Sequence, residues 1–272
     1  MKTLRATNLL GDSLYLLKPI AELGMQFTED FVVGVGSGFG GDLFRLQFGD
    51  TLKIQDMGTL ENERDIIDLS AGRAAKIAVQ HLVSGHDRPH ISECYAEILG
   101  VNTAGWKYDF SPLTGWAQGK SSNPISSGFH YAIIAPFSSS CSRHSGMRPN
   151  KTPDHERWSL LISWIRSTGI EPIILVGNNE KWTGCNVLEW TATSVRMLTE
   201  MLCEAVYVIS VDNGVGHIAS ALRCKSIILW PPVSSVQFIG PTWNKKTKLL
   251  YMHPERVRAD QLLSIVKKEL TK

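Results

Sequence analysis

The sequence of 272 residues predicts an α/β protein made of two successive halves, each a parallel sheet wrapped by helices. Three observations carry that prediction. Short apolar runs alternate with amphipathic helical patterns in both halves, as strand–helix–strand crossovers require. A stretch rich in Gly, Ser, Pro and Trp separates the two halves. Turn-forming residues, Gly11-Asp12 and Asp212-Asn213-Gly214, follow apolar runs and open helices, as at the carboxyl ends of parallel strands.

In the first half, Thr3–Leu9 reads as a strand, followed by Gly11-Asp12 and a helix over Ser13–Leu23. Phe31–Val35, Thr51–Gln55 and Asp65–Leu69 read as further strands, and Ala71–Val83 and Ile91–Leu99 as helices. Residues Asn102–Gly128 lack periodicity and include Pro112, Gly115, Gly119 and Pro124, so they read as a connector. This gives domains 1–125 and 126–272. In the second half, Tyr131–Ala135 is a strand, a polar loop runs to Thr152, and His155–Ser167 is a helix. Ile173–Val176 is a strand and Thr193–Cys203 a helix. Val206–Pro232 then reads as one complete strand–turn–helix–strand unit.

Composition narrows the function classes. A hydrophobic fraction of 43% supports a substantial core, and no apolar stretch is long enough to span a bilayer. The N-terminus lacks the apolar region of a secretion signal. Five dispersed cysteines without a C-x-x-C pair point to reduced thiols and a cytoplasmic location, not to a disulfide framework or zinc site. His86 and His90 stand four apart, but Pro89 interrupts a helical spacing and no third ligand is near, so no metal site is expected. Residues 1–125 carry 11 Lys/Arg against 15 Asp/Glu, a net of −4, and the remainder a net of +6. The basic second half suits a phosphate-bearing ligand, and the acidic first half disfavours a nucleic-acid partner.

The turn Asp212-Asn213-Gly214 is the sharpest site signal. Gly214 permits a tight turn, and either Asp212 or Asn213 can cap the helix that follows. The free amides of that helix start, backed by the helix dipole, form an anion site suited to phosphate. His217 lies one turn further in, placed either to donate to a phosphate or sugar or to pack.

Asp212-Asn213-Gly214, two spacers, His217 and the Ala-rich helix resemble the donor-site motif of heptosyltransferase-like glycosyltransferases of family 9, whose GT-B fold pairs two Rossmann-like domains facing a cleft. The segment Leu10-Gly11-Asp12-Ser13-Leu14 is similar to that family's N-terminal segment, in which the aspartate is the general base. Asp65–Ser70 (DIIDLS) and His90–Gly100 (HISECYAEILG) resemble a strand and a helix of the same family, in family order. The first half is compressed relative to that pattern, with little room between Asp68 and His90 for another strand and helix.

The resemblance implies roles. Asp12 would deprotonate an acceptor hydroxyl; its ordinary alternative is a helix cap. Donor contacts would come from Ser138, Glu180 (to ribose hydroxyls), Asp212, Asn213, Gly214 and His217. A cation, Lys151, Arg148 or Arg143, would neutralise the departing diphosphate. The family's W-P-x-x-x-W element is altered here: the first Trp is missing, and Pro153 stands one residue further from Trp158. Acceptor contacts would involve Gly11, Gly38 and Gly40.

Gly36-Ser37-Gly38-Phe39-Gly40-Gly41 also matches the dinucleotide fingerprint G-x-G-x-x-G, with Asp56 downstream for a ribose. That fingerprint normally follows the first strand and here follows the second, so a glycine-rich loop approaching the acceptor is the better reading. The expectation is a metal-independent glycosyltransferase without a cofactor, and the resemblance implies that it inverts the anomeric centre. It would take a nucleotide-diphosphate sugar as donor and a glycan, lipopolysaccharide-like or other hydroxyl-bearing acceptor. The alternatives are a GT-B transferase acting on a modified nucleic-acid base, an NAD-binding oxidoreductase, and a non-catalytic nucleotide-sugar-binding module.

Overall fold

The computed structural model describes residues 2–6, 10–26, 31–36, 38–48, 51–59, 66–102, 108, 110–117, 128, 130–138, 155–177, 181–230, 240–241, 247–251 and 257–271. The chain forms two compact units: Met1–Leu113 with Ser234–Gly240, and Thr114–Val233 with Pro241–Lys272.

The first unit holds β1 (Lys2–Ala6), α1 (Leu10–Gln26), β2 (Phe31–Val35), α2 (Phe39–Phe48), β3 (Lys53–Asp56), β4 (Ile66–Leu69), α3 (Ala71–Val83), α4 (Ile91–Leu99) and the start of α5 (Ser111–Ala117). Its sheet is parallel throughout, in the order β3-β2-β1-β4. The chain therefore reverses direction across the sheet between β1 and β4. α1 packs against α2 and α4, and α3 against α4.

The second unit holds β5 (Tyr131–Ala135), α6 (His155–Ser167), β6 (Glu171–Leu175), β7 (Leu188–Trp190), α7 (Val195–Glu204), β8 (Tyr207–Val211), α8 (Gly214–Ala221), β9 (Ser226–Trp230), β10 (Thr247–Tyr251) and α9 (Ala259–Leu270). Its sheet, also parallel, runs β10-β9-β8-β5-β6-β7. Counted from β5 this is the order 3-2-1-4-5-6, the doubly wound nucleotide-binding topology, with its switch point between β5 and β8. The fold is thus α/β with two parallel sheets, as expected. No described helix is long and apolar enough to cross a membrane.

Burial explains which elements form where. Every residue of β5, β8 and β9 is buried, because a parallel sheet covered on both faces must be apolar on both. The edge strands β3 and β7 are largely exposed. The second core gathers Trp158, Leu161, Ile162 and Ile165 of α6 with Ile134, Ile209 and Leu229 of the strands, and α9 closes it through Leu262 and Val266.

Helix ends are set by capping. Ser70 accepts from Arg73 N at the start of α3, and Ser194 from Met197 N at the start of α7. At α4 the motif beginning with His90 resolves into physics. His90 Nδ1 accepts from Ser92 N, Glu93 Oε2 accepts from His90 N at 2.7 Å, and Gly100 closes the helix at φ 67°. His90 Nε2 donates to Gly240 O at 3.0 Å, which fixes the tautomer that leaves Nδ1 free to accept.

Three expectations need revision. The helix α1 starts at Leu10, so Gly11 and Asp12 belong to its first turn and not to a preceding turn. Gly40 and Gly41 likewise belong to a helix, α2, where a loop was expected. A Cβ on Gly41 would collide with Gly36 O, so glycine here lets α2 press onto its own strand. The connector contains α5, whose Pro112 is tolerated in a first helical turn where its missing amide would be unpaired anyway.

The α8 terminus is strained. Arg223 adopts φ 60°, and the Cys224 N–H donates to Ala219 O and the Arg223 N–H to Ser220 O, a Schellman ending with arginine at the left-handed position. A left-handed non-glycine residue costs about 1–2 kcal/mol, of which glycine returns about 0.4–1 kcal/mol through unfolded-chain entropy. Arg223→Gly should therefore stabilise the protein by roughly 0.5–1 kcal/mol, read as a higher denaturation midpoint; a lower midpoint would refute the strain.

Candidate active site

The strongest constellation sits at the switch point of the second sheet. β5 and β8 are neighbours, so the residues after each, Pro136–Ser138 and Asp212–Gly214, emerge side by side. Asn213 joins them. Its Nδ2 donates to Ala135 O at 3.1 Å and Phe137 O at 2.7 Å, while its Oδ1 accepts from Gly216 N at 3.0 Å. Asn213 is thus the N-cap of α8, which resolves the choice between Asp212 and Asn213. The side chain needed here must donate twice and accept once, which an amide does and a carboxylate cannot.

The cap consumes Gly216 N, and His217 N donates to Asn213 O at 3.3 Å. Gly214 and Val215 are the remaining amides of the helix start, where the dipole favours an anion. The lower wall is buried and polar. Ser138 Oγ donates to Asp212 O at 3.1 Å, and Asp212 Oδ1 lies 3.4 Å from His217 Nε2. Asp212 and His217 are buried to 4% and 5% exposure. Trp230 of β9 meets the His217 ring edge to face at 5.9 Å. His217 is therefore packed and carboxylate-paired, so its orientation is set before any ligand arrives. Glu180, Lys151, Arg148 and Arg143 lie outside the described residues. Trp158, drawn from the altered tryptophan motif, is a fully buried core residue of α6.

The first unit has its own switch point between β1 and β4. Asp12 sits half-buried in the first turn of α1, where a carboxylate is favoured by the helix dipole. Asp68, at the end of β4, accepts from Ser70 Oγ at 3.0 Å. Tyr95 of α4 is fully buried and its hydroxyl has no hydrogen-bond partner among the described residues. Burial first, then the charges of Asp12, Cys94 and Asp68, push that hydroxyl well above the usual tyrosine range. Asp68 and Tyr95 thus join Asp12 in one electrostatic cluster, although sequence reading gave neither a role. Their signal was available: both stand in the two segments that resembled the family, one at a strand's carboxyl end.

Gly11 shares the first turn of α1 with Asp12. Gly38, at φ 116°, precedes α2, and Gly40 is buried within it. Both lie beyond β2, one strand away from the switch point. Asp56, the ribose ligand of the dinucleotide reading, is ion-paired with Arg45 of α2. Among the described residues, no three His, Cys, Asp or Glu side chains gather as a metal-binding group. His90 serves as the α4 cap, and His86 meets His81 edge to face.

The chain is similar over its full length to solved structures. It matches E. coli ADP-heptose lipopolysaccharide heptosyltransferase II with a TM-score of 0.65 at 13% identity, covering 100% of this chain and 99% of that one. It matches E. coli heptosyltransferase WaaC with ADP with a TM-score of 0.64 at 15% identity, covering 99% and 100%. It matches the dodecameric iron-containing heptosyltransferase TibC in complex with ADP-D-beta-D-heptose with a TM-score of 0.63 at 13% identity, covering 98% and 76%. A sequence search of curated proteins found no match. These likenesses identify the fold as the GT-B type. The model of glycosyltransferase family 9 (heptosyltransferase) matches residues 118–265, more than half of the chain, so the protein belongs to that family and is a nucleotide-sugar-dependent glycosyltransferase.

Proposed function

We propose that this protein transfers a sugar of the heptose type from a nucleotide-diphosphate donor to a hydroxyl of a glycan or lipopolysaccharide-like acceptor. The transfer proceeds with inversion and without a divalent ion. Residues 126–272 hold the donor and residues 1–125 the acceptor. The observation that carries the reading is the Asn213-capped start of α8 at the switch point of a nucleotide-binding sheet, where Gly214 and Val215 supply amides to a diphosphate. Because the solved relatives named above carry ADP or an ADP-heptose, ADP-linked sugars are the first donors to test.

Asp12 takes the proton of the acceptor hydroxyl as that oxygen attacks the anomeric carbon. The bond to the diphosphate breaks on the opposite face, and charge develops on the leaving oxygens. The α8 dipole, its amides and a cation from Lys151, Arg148 or Arg143 stabilise that charge, which is the work a divalent ion performs elsewhere. Ser138, Glu180 and His217 complete the donor contacts, while Gly11, Gly38 and Gly40 border the acceptor.

The first experiment is a thermal-shift screen of nucleoside diphosphates, ADP-sugars and NAD, in which only a ligand of the native site raises the midpoint by mass action. Stabilisation by NAD and by no nucleotide sugar or diphosphate would overturn the donor assignment. Asp12→Asn should lower kcat by about 10²–10⁴-fold, the worth of a positioned base, with ADP affinity nearly unchanged. Near-normal turnover in that variant sinks the base assignment. Turnover of the wild type should survive EDTA, and its abolition with restoration by Mg²⁺ would reject the metal-independent reading. Gly214→Leu places a branched side chain at the amide cradle and should weaken ADP binding by tenfold or more, about 1.4 kcal/mol. Unaltered ADP binding would remove the diphosphate from this helix start.

A further inference from the structure

Two cysteines 21 positions apart in sequence meet at the far end of α8. Cys203 lies in the last turn of α7 and is exposed, while Cys224 follows the left-handed Arg223 and is half-buried. Cys224 Sγ donates to the carbonyl of Leu202, the residue before Cys203, at 3.2 Å. That bond holds the Cys224 sulfur against the last turn of α7, where Cys203 stands. The backbone of Cys224 is pinned by its N–H to Ala219 O at 3.0 Å, so the contact does not depend on a freely turning loop.

The contact makes the two sulfurs unequal. The neighbouring Cys224 holds the Cys203 thiol below its ordinary range, whereas proximity to Cys203 and burial push Cys224 up. Thiolate character and solvent access therefore coincide at Cys203, the combination that makes a sulfur reactive. Cys94 is the opposite case: it is fully buried, and burial raises it to about 11.

We propose that Cys203 and Cys224 form a redox modification site at which a peroxide converts the dithiol into an intramolecular disulfide. The Cys203 thiolate attacks one oxygen of hydrogen peroxide, the O–O bond breaks, and the departing hydroxide takes a proton to leave as water, giving a sulfenic acid on Cys203. The Cys224 sulfur then attacks Sγ of Cys203. The S–O bond breaks, and hydroxide leaves with the proton from Cys224 as a second water. Two thiols lose two electrons and two hydrogens, and one peroxide becomes two waters. The product staples the end of α7 to the C-terminal cap of α8, behind the helix that presents Gly214 and Val215. A dithiol reductant reverses it.

The test treats the full-length protein with hydrogen peroxide, alkylates the remaining thiols and maps peptides by mass spectrometry. The expected product is a cross-linked Cys203–Cys224 peptide, lighter by two hydrogens than the separate thiol peptides and released by dithiothreitol. In Cys224→Ser, the sulfenic acid of Cys203 should accumulate and be trapped by dimedone. In Cys203→Ser, Cys224 should stay alkylatable at the same dose. Neither residue belongs to the proposed transfer machinery, so both variants should keep basal turnover. Recovery of both cysteines as alkylated thiols after peroxide treatment overturns the proposal. So does a disulfide from Cys203 to any other cysteine, or oxidation of Cys224 at an undiminished rate in Cys203→Ser.

Discussion

The second unit depends on one side chain, Asn213, which holds two strand ends and a helix start in a single geometry. Its amide nitrogen spans two carbonyls of the β5 terminus, Ala135 O and Phe137 O, and its oxygen caps α8. Each bond by itself contributes about 0.5–1.5 kcal/mol. Together they decide whether the amides of Gly214 and Val215 point out of the sheet as a preformed cradle. Ser138 reinforces the same junction by donating to Asp212 O, so the loop after β5 and the loop after β8 cannot move independently. Preorganisation of this kind is what electrostatic stabilisation of a leaving diphosphate requires, since donors that had to reorient at the moment of reaction would lose most of their worth.

The first unit repeats the principle with different chemistry. Its switch point between β1 and β4 brings together the first turn of α1, the end of β4 and the buried face of α4. Asp12, Asp68 and Tyr95 come from those three elements, and Tyr95 senses both carboxylates. The His90 cap, tied to Gly240 and stacked edge-on against Tyr15 one turn beyond Asp12, fixes α4 against α1. The carboxylate of Asp12 at a helix start beside the buried Tyr95 hydroxyl suits the proton transfer proposed above, and the Asn213-capped start of α8 suits the proposed anion.

How much of this was legible in the sequence follows from what each element needed. The strands β5, β8 and β9 are buried on both faces, so their apolar runs mark them almost to the residue. The helices α3, α4 and α6 carry a clean 3.6-residue pattern, and the first two have caps written in Ser70, His90 and Gly100. The helix α2 was hidden because Gly40 and Gly41 are poor helix formers and only close packing onto β2 rewards them. The edge strand β7 spans three residues and buries little, which leaves no pattern to read. At the site, the Asp212-Asn213-Gly214 turn was visible, but which residue caps was not. Asp and Asn cap about equally well in isolation, and the choice is made by two carbonyls some eighty positions earlier, Ala135 at the end of β5 and Phe137 just beyond it.

The uneven reach of the family model has a physical reading of its own. It matches residues 118–265, whereas the full-length likeness of the fold also takes in the first unit. A diphosphate is recognised largely by backbone amides, and holding those amides still imposes strict demands on a few positions: a double donor at Asn213, a residue small enough for close approach at Gly214, a buried imidazole and carboxylate beneath them. Such demands keep a sequence signature readable. The first unit keeps the fold beyond the reach of that signature, because many residue sets satisfy the same parallel scaffold. The parallel order β3-β2-β1-β4 is enough to set the first turn of α1, with Asp12 in it, beside the switch point of that sheet, whatever the surrounding side chains are.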